Sequence, residues 1–466
     1  MPLGLVTSEY TGSNNYWSQN SRRKIFYSFP NGTAPLTGFL SLGDTEETPL
    51  SQFGWYEERW EQIKTTTGTG GASTLTFALG GTTTSVGGTF TPTAGTAYRI
   101  YVADGTKFQQ DDMITIHRLT YNSTAVGTTV EVQFRVTSTS ALFIETIGVF
   151  TMPGVIKNDT TANALSVVYS GSAFAEGARS RTGRTQYPIN VLNNTQIFKT
   201  AFELTRNALK APLVYEKTGD YRNQLKHNGI NHMAGMEWQF LTGDRSTDST
   251  GIDPDSGSVV RRTTTGGLLW YLKQWEKGSV ANGGLFNYRT SAVDVSAQTD
   301  YIAYPDKRII RLGNTTVSRD AFDEIEALPF QKTNSNEFCK LCLCGPGYMA
   351  KVSSRYGKEI TKTEVRMEES DKWAFKVTQK SGLLGDIYYK THPLFSFADS
   401  PYRNSAFYID LGYIKYRPLT DTDTDIQQMI QLPDADKRKD QYLTEAGLEL
   451  PYPEAHMFVD QLAGIV

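Results

Sequence analysis

The sequence is poor in the residues and motifs on which most catalytic sites depend. It has 5 histidines in 466 residues, scattered along the chain. It contains no G-x-S-x-G, H-E-x-x-H or G-x-x-x-x-G-K-[ST] pattern. The neighbouring acids Asp111 and Asp112 would point to opposite faces of a strand, so they cannot flank one glycosidic bond. These absences predict a protein that is not an enzyme and uses no cofactor.

Cysteine is also scarce, and all three cysteines lie in one short run, FCKLCLC. The C-x-x-C spacing of Cys339 and Cys342 could in principle hold a metal, but no second C-x-x-C and no nearby histidine completes a four-ligand zinc set. A short apolar run that ends in Gly-Pro-Gly is typical of a buried strand. On a strand Cys342 and Cys344 share one face and Cys339 points to the other. We therefore predict a buried strand and no metal.

Three further absences concern partners and location. The chain has 46 basic and 49 acidic residues, a net charge of -3, and so lacks the basic excess of a dedicated nucleic-acid binder. No window approaches 18 consecutive apolar residues, which predicts no transmembrane helix. The beginning, MPLGLVTSEYTG, lacks the basic start and apolar run of a signal peptide. We expect a chain of two to four domains, made and kept in a reducing cytosol.

One long helical pattern is present, from Asp220 to Thr242, and it contains no proline. Its larger apolar residues recur at Tyr221, Leu225, Met233, Met236 and Phe240. This spacing fits a 3.6-residue period and predicts one apolar stripe on a rod about 35 Å long. Gly243 is expected to end the helix in a left-handed conformation. Because polar residues fill the remaining circumference, the helix should lie on another layer and not inside a bundle.

The composition changes sharply ahead of this helix. Residues 65–168 are rich in Gly, Thr, Ser and Val, in alternating runs such as AYRIYVA and TVEVQFRV. The pattern predicts an all-β insert, a small barrel or sandwich of six or so strands. Residues 1–43 are polar and turn-rich, which favours an extended arm.

The insert is flanked by segments of opposite charge. The acidic and aromatic segment 44–64 and the arginine-rich segment 169–192 are predicted to pair as a two-stranded flap that carries the insert at its tip. Tryptophan at this density is typical of contact surfaces, although the rings could equally fill a local core. The charged and tryptophan residues of these two segments that we single out as contact residues are Glu46, Glu47, Trp55, Glu57, Glu58, Trp60, Arg179, Arg181 and Arg184.

An α/β pattern follows the long helix. Residues 243–263 favour a polar loop, and 267–275 a short helix with a buried face. The stretch 317–330 favours a second helix with Ser318 as its N-cap. Residues 338–357 favour strand, tight turn and helix, and 373–418 are β-patterned.

This order of parts resembles a tailed-bacteriophage major capsid protein. The segments SAFAEGA and NNTQIFKTAFELT ahead of the long helix, and LTEAGLELPYPEAHMFVDQL near the end, carry the resemblance. It is best over 171–275 and 320–466. It implies an α+β fold of the Hong Kong 97-like (HK-97-like) type, with a long spine helix, an extended β flap (the E-loop) and an inserted all-β domain.

The resemblance also implies a division of the chain. The implied parts are an N-terminal arm (1–43), an E-loop (44–192) with the insert at about 65–168, a peripheral domain (193–263) with the spine helix at 218–242, an axial domain (264–370) and a β-rich return (371–466). No fused scaffolding segment is expected, and no Lys–Asn pair is assigned to covalent cross-linking.

The implied function is self-assembly into hexamers and pentamers of an icosahedral head that encloses phage double-stranded DNA. The implied partners are other copies, a portal, a separate scaffolding protein and a cement or decoration protein, with weak non-specific contacts to DNA and none to a membrane. The expected location is the virion capsid, after assembly in the host cytoplasm. Two alternatives remain open, a β-rich virion protein that binds a receptor or glycan, and an encapsulin-like nanocompartment shell.

Overall fold

The computed structural model describes residues 34–40, 45–58, 63–67, 77–79, 89–120, 129–157, 165–181, 183–184, 188–210, 220–248, 250–252, 257–277, 308–330, 339–356, 361–365, 375–382, 385–397 and 399–465. The protein is a mixed α/β molecule in which strands dominate. It forms two compact units, a smaller one of Glu58–Tyr187 and a larger one that combines Met1–Glu57 with Pro188–Val466. The predicted insert at about 65–168 falls within the span of the smaller unit.

The described helices are α1 (Pro35–Leu40), α2 (Arg206–Lys210), α3 (Asp220–Thr242), α4 (Leu268–Lys277), α5 (Arg319–Ala327) and α6 (Pro346–Tyr356). The prediction that Ser318 caps a helix is confirmed, since its side chain accepts a hydrogen bond from the Ala321 amide at 3.3 Å. The α-helical part of this segment is shorter than predicted. Its last three residues, Leu328–Phe330, form a 3-10 turn with a central proline.

The first ten described strands are β1 (Gln52–Glu57), β2 (Lys64–Thr66), β3 (Phe77–Leu79), β4 (Thr89–Phe90), β5 (Ala97–Tyr101), β6 (Asp112–Thr120), β7 (Thr129–Thr139), β8 (Phe143–Gly148), β9 (Ile156–Lys157) and β10 (Ser166–Ser172). The next sixteen are β11 (Ile189–Asn194), β12 (Gln196–Thr205), β13 (Ser246–Asp248), β14 (Arg262–Thr264), β15 (Ile309–Arg311), β16 (Thr316–Val317), β17 (Cys339–Cys344), β18 (Thr361–Val365), β19 (Phe375–Gly382), β20 (Gly385–Thr391), β21 (Ala406–Ile409), β22 (Lys415–Pro418), β23 (Asp425–Gln427), β24 (Lys437–Glu449), β25 (Met457–Asp460) and β26 (Gly464–Ile465).

The smaller unit is built on one seven-stranded antiparallel sheet, in the order β2-β10-β6-β7-β8-β5-β3. Thr67, just after β2, forms an antiparallel bridge with Val102, just after β5. The Ala103 amide also donates to the Thr66 carbonyl at 2.9 Å. The sheet therefore closes on itself as a small barrel, one of the two architectures that the alternating pattern predicts. Its inward-facing core includes Tyr98, Ile100, Ile114, Ile116, Phe134, Val136, Ile144 and Val167.

The larger unit contains two main sheets. One is a seven-stranded mixed sheet, in the order β15-β25-β21-β17-β20-β19-β18. The other is an antiparallel sheet in the order β12-β24-β22, with β23 also paired to β24. Three two-stranded pairs accompany them, β1 with β11, β13 with β14, and β16 with β26. The predicted polar loop at 243–263 is therefore wrong in part, because β13 and β14 form a short hairpin there.

Side-chain alternation along β17 divides the core of the larger unit between the two faces of its mixed sheet. Leu341 and Leu343 join a cluster with residues of α3, α4 and β1, whereas Cys342 and Cys344 join another with residues of α5 and α6. The predicted buried strand is confirmed, and all three cysteines are free thiols. Burial raises the pKa of Cys342 well above that of an ordinary thiol, so it stays protonated.

Helix α3 has the predicted bounds, but the predicted apolar stripe is wrong in part. Its buried residues are Asn223, His232, Met236, Glu237, Phe240 and Leu241. Met233, a member of the predicted stripe, is exposed. Polar side chains can be buried here because partners below the helix satisfy them: His232 bonds to Thr200 on β12 at 3.0 Å and to Thr444 on β24 at 2.9 Å.

The end of α3 also differs from the prediction. Gly243 does not have a left-handed backbone. A Cβ atom at this position would lie 2.6 Å from the backbone oxygen of Gln239. It would also collide with the Gln239 side chain, which donates to the Thr265 carbonyl at 2.9 Å. Glycine is therefore required by close approach and not by a positive φ. Among the described helices, none is long and apolar enough to cross a membrane.

Candidate functional site

The two chain connections between the larger and smaller units leave from one antiparallel ribbon, β1 with β11. Gln52 pairs with Asn194 at one end, and Glu57 pairs with Ile189 at the other. The smaller unit lies in the sequence between Glu57 and Pro188. A two-stranded ribbon is therefore present where the sequence predicts the flap to begin and end.

Trp55 lies in the core of its own chain, although the sequence singles it out as a contact residue. Its ring packs against Phe53 (6.5 Å between centroids) and Tyr271 (5.8 Å). Its indole Nε1 donates to Glu57 Oε1 at 2.8 Å, and the Tyr452 amide donates to the same oxygen at 3.3 Å. Glu57, another predicted contact residue, is therefore buried as an acceptor.

The opposite face of β1 carries the exposed aromatic residue that the sequence prediction does not include. Burial alternates along the strand, so Phe53, Trp55 and Glu57 are buried while Tyr56 is 73 % exposed. Leu50, just before the strand, is 68 % exposed. The period of two was the available signal, because two bulky rings on one face of β1 leave Tyr56 on the other.

Replacing Trp55 with phenylalanine is expected to destabilise the larger unit by about 1 to 3 kcal/mol, because Glu57 loses its indole donor while it remains buried. Tyr56→Phe is the matched control and should leave stability within about 0.5 kcal/mol. Urea unfolding of both variants measures the difference. Equal stability of the two variants would show that the indole bond contributes nothing.

The acidic segment ahead of β1 is bound to the antiparallel sheet. The Glu46 and Thr48 amides donate to the Tyr416 and Pro418 carbonyls at 3.1 and 2.9 Å. The Glu46 carboxylate lies 2.8 Å from the guanidinium of Arg417. Arg417 also bonds to Glu449. The basic partner of Glu46 is therefore Arg417 on β22. The arginines that the sequence predicts as its partners lie about 230 residues earlier in the chain.

Arg181 and Arg184 do not pair with the acidic segment as predicted. Within the smaller unit both guanidinium groups bind the carboxylate of Asp112, Arg181 at Oδ1 and Arg184 at Oδ2. Asp112 is fully buried at the start of β6, which pairs with β10, and the arginine segment follows β10. The hydrogen bond to Asp112 raises the pKa of Arg181 above the ordinary value for an arginine, so the guanidinium stays charged. A buried carboxylate needs a nearby cation, and these arginines supply it.

The remaining predicted contact residues fall into two groups. Glu47, Glu58 and Arg179 are exposed. Trp60 lies outside the described residues.

A second buried polar site joins α1 to α3. The Glu237 carboxylate accepts the Leu36 amide at 2.8 Å, the Thr37 amide at 2.7 Å and the Thr37 hydroxyl at 2.6 Å. His392 Nε2 bonds to Glu237 Oε1 at 2.7 Å. Because the Leu394 amide donates to His392 Nδ1, that nitrogen is unprotonated and Nε2 carries the proton. Glu237 thus holds the described part of the predicted arm against the helix.

A third buried site lies where β17 and β21 approach the segment P-E-A-H, residues 453–456. Lys340 Nζ donates to Asp410 Oδ2 at 2.6 Å and to the Ala455 carbonyl at 3.2 Å. The Asp410 amide donates to His456 Nδ1 at 3.2 Å. Burial, helped by the charge of Lys340, lowers the pKa of His456 to about 3, so this imidazole is neutral.

The larger unit is expected to lose stability as the pH falls below about 6.5, the ordinary pKa of histidine. His456 resists protonation in the folded state, whereas it takes up a proton freely when the chain unfolds. The loss is about 1.4 kcal/mol per pH unit between about 6.5 and the folded pKa, or about 2 kcal/mol at pH 5. Urea unfolding at several pH values measures this loss of stability.

The variant His456→Asn keeps an acceptor for the Asp410 amide and should flatten the dependence of stability on pH. The control His117→Asn, at a half-exposed position, should not. An unchanged slope in His456→Asn would contradict the assignment.

The chain was compared with curated proteins, solved structures and family models. No curated protein matches the chain. Three similar solved structures are an encapsulin complex of Synechococcus elongatus (10% identity, TM-score 0.34, covering 60% of this chain and 77% of that chain), the procapsid of satellite phage P4 (13%, 0.33, 64% and 80%) and the capsid of cyanophage A-1(L) (11%, 0.36, 62% and 85%). These superpositions are loose and do not decide the fold. A family model described as SU10 major capsid protein matches residues 6–463, nearly the whole chain.

Proposed function

The chain belongs to the SU10 major capsid protein family, and we propose that its copies form hexamers and pentamers that close an icosahedral head around phage double-stranded DNA. The family match over residues 6–463 carries this proposal. A major capsid protein is a structural component of the virion capsid. Its function therefore depends on the surfaces that it presents to other copies, and we assign it no catalytic step. Closed symmetry multiplies modest contact energies, because every copy uses the same contacts.

We assign the chain the HK-97-like fold, with α3 as its spine helix. The support is that α3 is 23 residues long and bonds to both β12 and β24 through His232. The β1–β11 ribbon is the base of the E-loop, and the barrel is the domain inserted in it. The remaining assignments follow the predicted parts, namely the arm (1–43), the peripheral domain (193–263), the axial domain (264–370) and the β-rich return (371–466).

The exposed side of the β1–β11 ribbon is the surface that we assign to a neighbouring copy. Trp55 and Glu57 fix the ribbon to the core, which leaves Leu50 and Tyr56 facing outward. Tyrosine is enriched at the centres of protein interfaces, since a rigid ring supplies contact area at low entropic cost. Among the predicted contact residues, Glu47, Glu58 and Arg179 are exposed and remain in this assignment.

The proposed partners beyond other copies are a portal, a separate scaffolding protein and a cement or decoration protein. DNA contacts would be weak and non-specific, in keeping with a net charge of -3. Assembly is assigned to the host cytoplasm, before the capsid is part of the virion.

Purified protein examined by sedimentation velocity and negative-stain microscopy tests the proposal. Closed shells of uniform diameter that package nucleic acid are the expected result. Shells that enclose a protein cargo instead would favour the nanocompartment alternative. A fibre or a lone monomer at high concentration would overturn both shell functions.

Tyr56→Glu is expected to raise the protein concentration required for shell assembly by roughly tenfold or more, because it places a charge in a proposed apolar contact. Tyr56→Phe keeps the ring and should assemble as the unmodified protein does. Light scattering over a concentration series measures the threshold. If Tyr56→Glu assembled at the same threshold, this face of the ribbon would not be a contact.

A further inference from the structure

The loop between β23 and β24 presents three large apolar side chains close together in sequence to solvent. Met429 is 65 % exposed, Leu432 is 71 % exposed and Ile430 is 37 % exposed. Single exposed apolar residues are ordinary, whereas a contiguous exposed group usually marks an interaction site. We call Met429, Ile430 and Leu432 the apolar tip.

The apolar tip is held in one conformation by specific hydrogen bonds. Met429 has a φ of 59°, in the left-handed region that residues other than glycine rarely adopt. Its amide donates to Asp440 Oδ1 at 2.8 Å, and the Ile430 amide donates to the Lys439 carbonyl at 2.9 Å. Unfavourable backbone conformations persist only where the surroundings determine them, and they concentrate at functional sites. The loop is therefore preorganised to present apolar surface.

Asp440 connects this conformation to the long helix. Its fully buried carboxylate also accepts from the Tyr221 hydroxyl in the first turn of α3 at 2.6 Å and from Arg438 Nε at 3.0 Å. Burial alone would raise the pKa of Asp440, but these bonds and the Met429 amide outweigh it, so the pKa is lowered and the group is charged. One carboxylate thus fixes the apolar tip relative to α3 and β24.

Five charged residues beside the apolar tip form ion pairs within the chain. Arg206 on α2 lies 2.7 Å from Asp436, and Glu203 on β12 pairs with Lys437 and Lys439 at 2.6 and 3.2 Å. The rim is thus not a uniformly basic surface of the kind that binds nucleic acid. Because both signs are present and paired, two copies of this surface would not repel each other strongly. The apolar tip is therefore an exposed apolar surface beside paired charges of both signs.

We propose that the apolar tip is a contact between copies of this chain, in which the tip of one subunit packs against the tip of a neighbour. Such a contact would bury the three apolar side chains, and the removal of their surface from water would favour association. Rotational symmetry allows identical patches to meet. This inference rests on the proposed shell assembly, since it supplies one of the contacts that assembly requires.

The double variant Met429→Ser and Leu432→Ser tests the contact. It should fold with an unchanged urea midpoint, because both side chains are exposed, yet require at least a tenfold higher concentration to assemble. Val259→Ser is the matched control, since Val259 is 67 % exposed in the same unit and lies outside the tip. It should assemble as the unmodified protein does.

Cysteine cross-linking identifies the partner surface. Cys339 is a partly exposed free thiol, so the test uses a Cys339→Ser background; Cys342 and Cys344 are buried. In that background Leu432→Cys, oxidised in assembled particles, should give disulfide-linked subunits through position 432, whereas Val259→Cys should not. Normal assembly of the double serine variant would overturn this inference and leave shell formation intact. Impaired assembly without a 432–432 cross-link would overturn the tip-to-tip arrangement. Failure of the unmodified protein to assemble would instead refute the proposed function itself.

Discussion

Glu237→Ala is expected to destabilise the larger unit by about 3 to 5 kcal/mol, because it orphans several buried donors at once. The Leu36 amide, the Thr37 amide and hydroxyl, and His392 Nε2 all bond to this carboxylate. Each buried donor left without an acceptor costs about 1 to 3 kcal/mol, less where water enters the space. Chemical unfolding followed by a helix-sensitive signal measures the total.

The location of the damage is as diagnostic as its size. Leu36 and Leu40 on α1 pack in the same core cluster as Met236 and Phe240 on α3. Hydrogen exchange should therefore show loss of protection in 34–40 before the strands of the mixed sheet are affected. Glu324→Ala, at an exposed position on α5, is the control and should change stability by less than about 0.5 kcal/mol. If the two variants were equally stable, Glu237 would not be the attachment point of α1.

Charge reversal at Arg181 and Arg184 is expected to destabilise the barrel by about 3 to 5 kcal/mol, because it leaves buried Asp112 without a cation. Two added carboxylates would also repel it. Both arginines lie over aromatic rings of the same unit, Arg181 over Phe174 at 5.5 Å and Arg184 over Tyr169 at 5.1 Å, so packing is lost as well. If these arginines served only contacts between subunits, the variant would stay folded and fail to close a shell, whereas the bonds to Asp112 predict a weakened smaller unit.

Hydrogen exchange separates these outcomes, since it reports each unit by itself. Amides of β6, β7 and β10 should lose protection in the Arg181→Glu and Arg184→Glu double variant, while those of the mixed sheet keep theirs. Arg179→Glu is the matched control, because Arg179 is an exposed arginine of the same segment. An intact barrel in the double variant would contradict the role given to Asp112.

Local signals were sufficient for several elements. The absence of proline and the apolar period placed α3 at Asp220–Thr242, and the preference of serine for helix starts identified the cap at Ser318. Alternation identified the strands of the barrel and would also have placed Tyr56 opposite Trp55 on β1. These features depend on residues within a few positions of one another.

The buried polar contacts could not be read in the same way, because their partners are far apart in sequence. Glu237 and His392 are separated by 155 residues, and Arg181 and Asp112 by 69. In the sequence alone, each of these residues cannot be distinguished from a solvated polar residue, because only the fold brings its partner close. Trp55 was ambiguous for a related reason, since whether a ring faces a core or a neighbour depends on what lies beneath the strand.

The most direct test of the account is an electron cryomicroscopy map of particles assembled from the purified chain. The account predicts closed icosahedral shells of hexamers and pentamers, with the outward face of the β1–β11 ribbon against an adjacent copy. A compact monomer that never associates, even at high concentration, would contradict it.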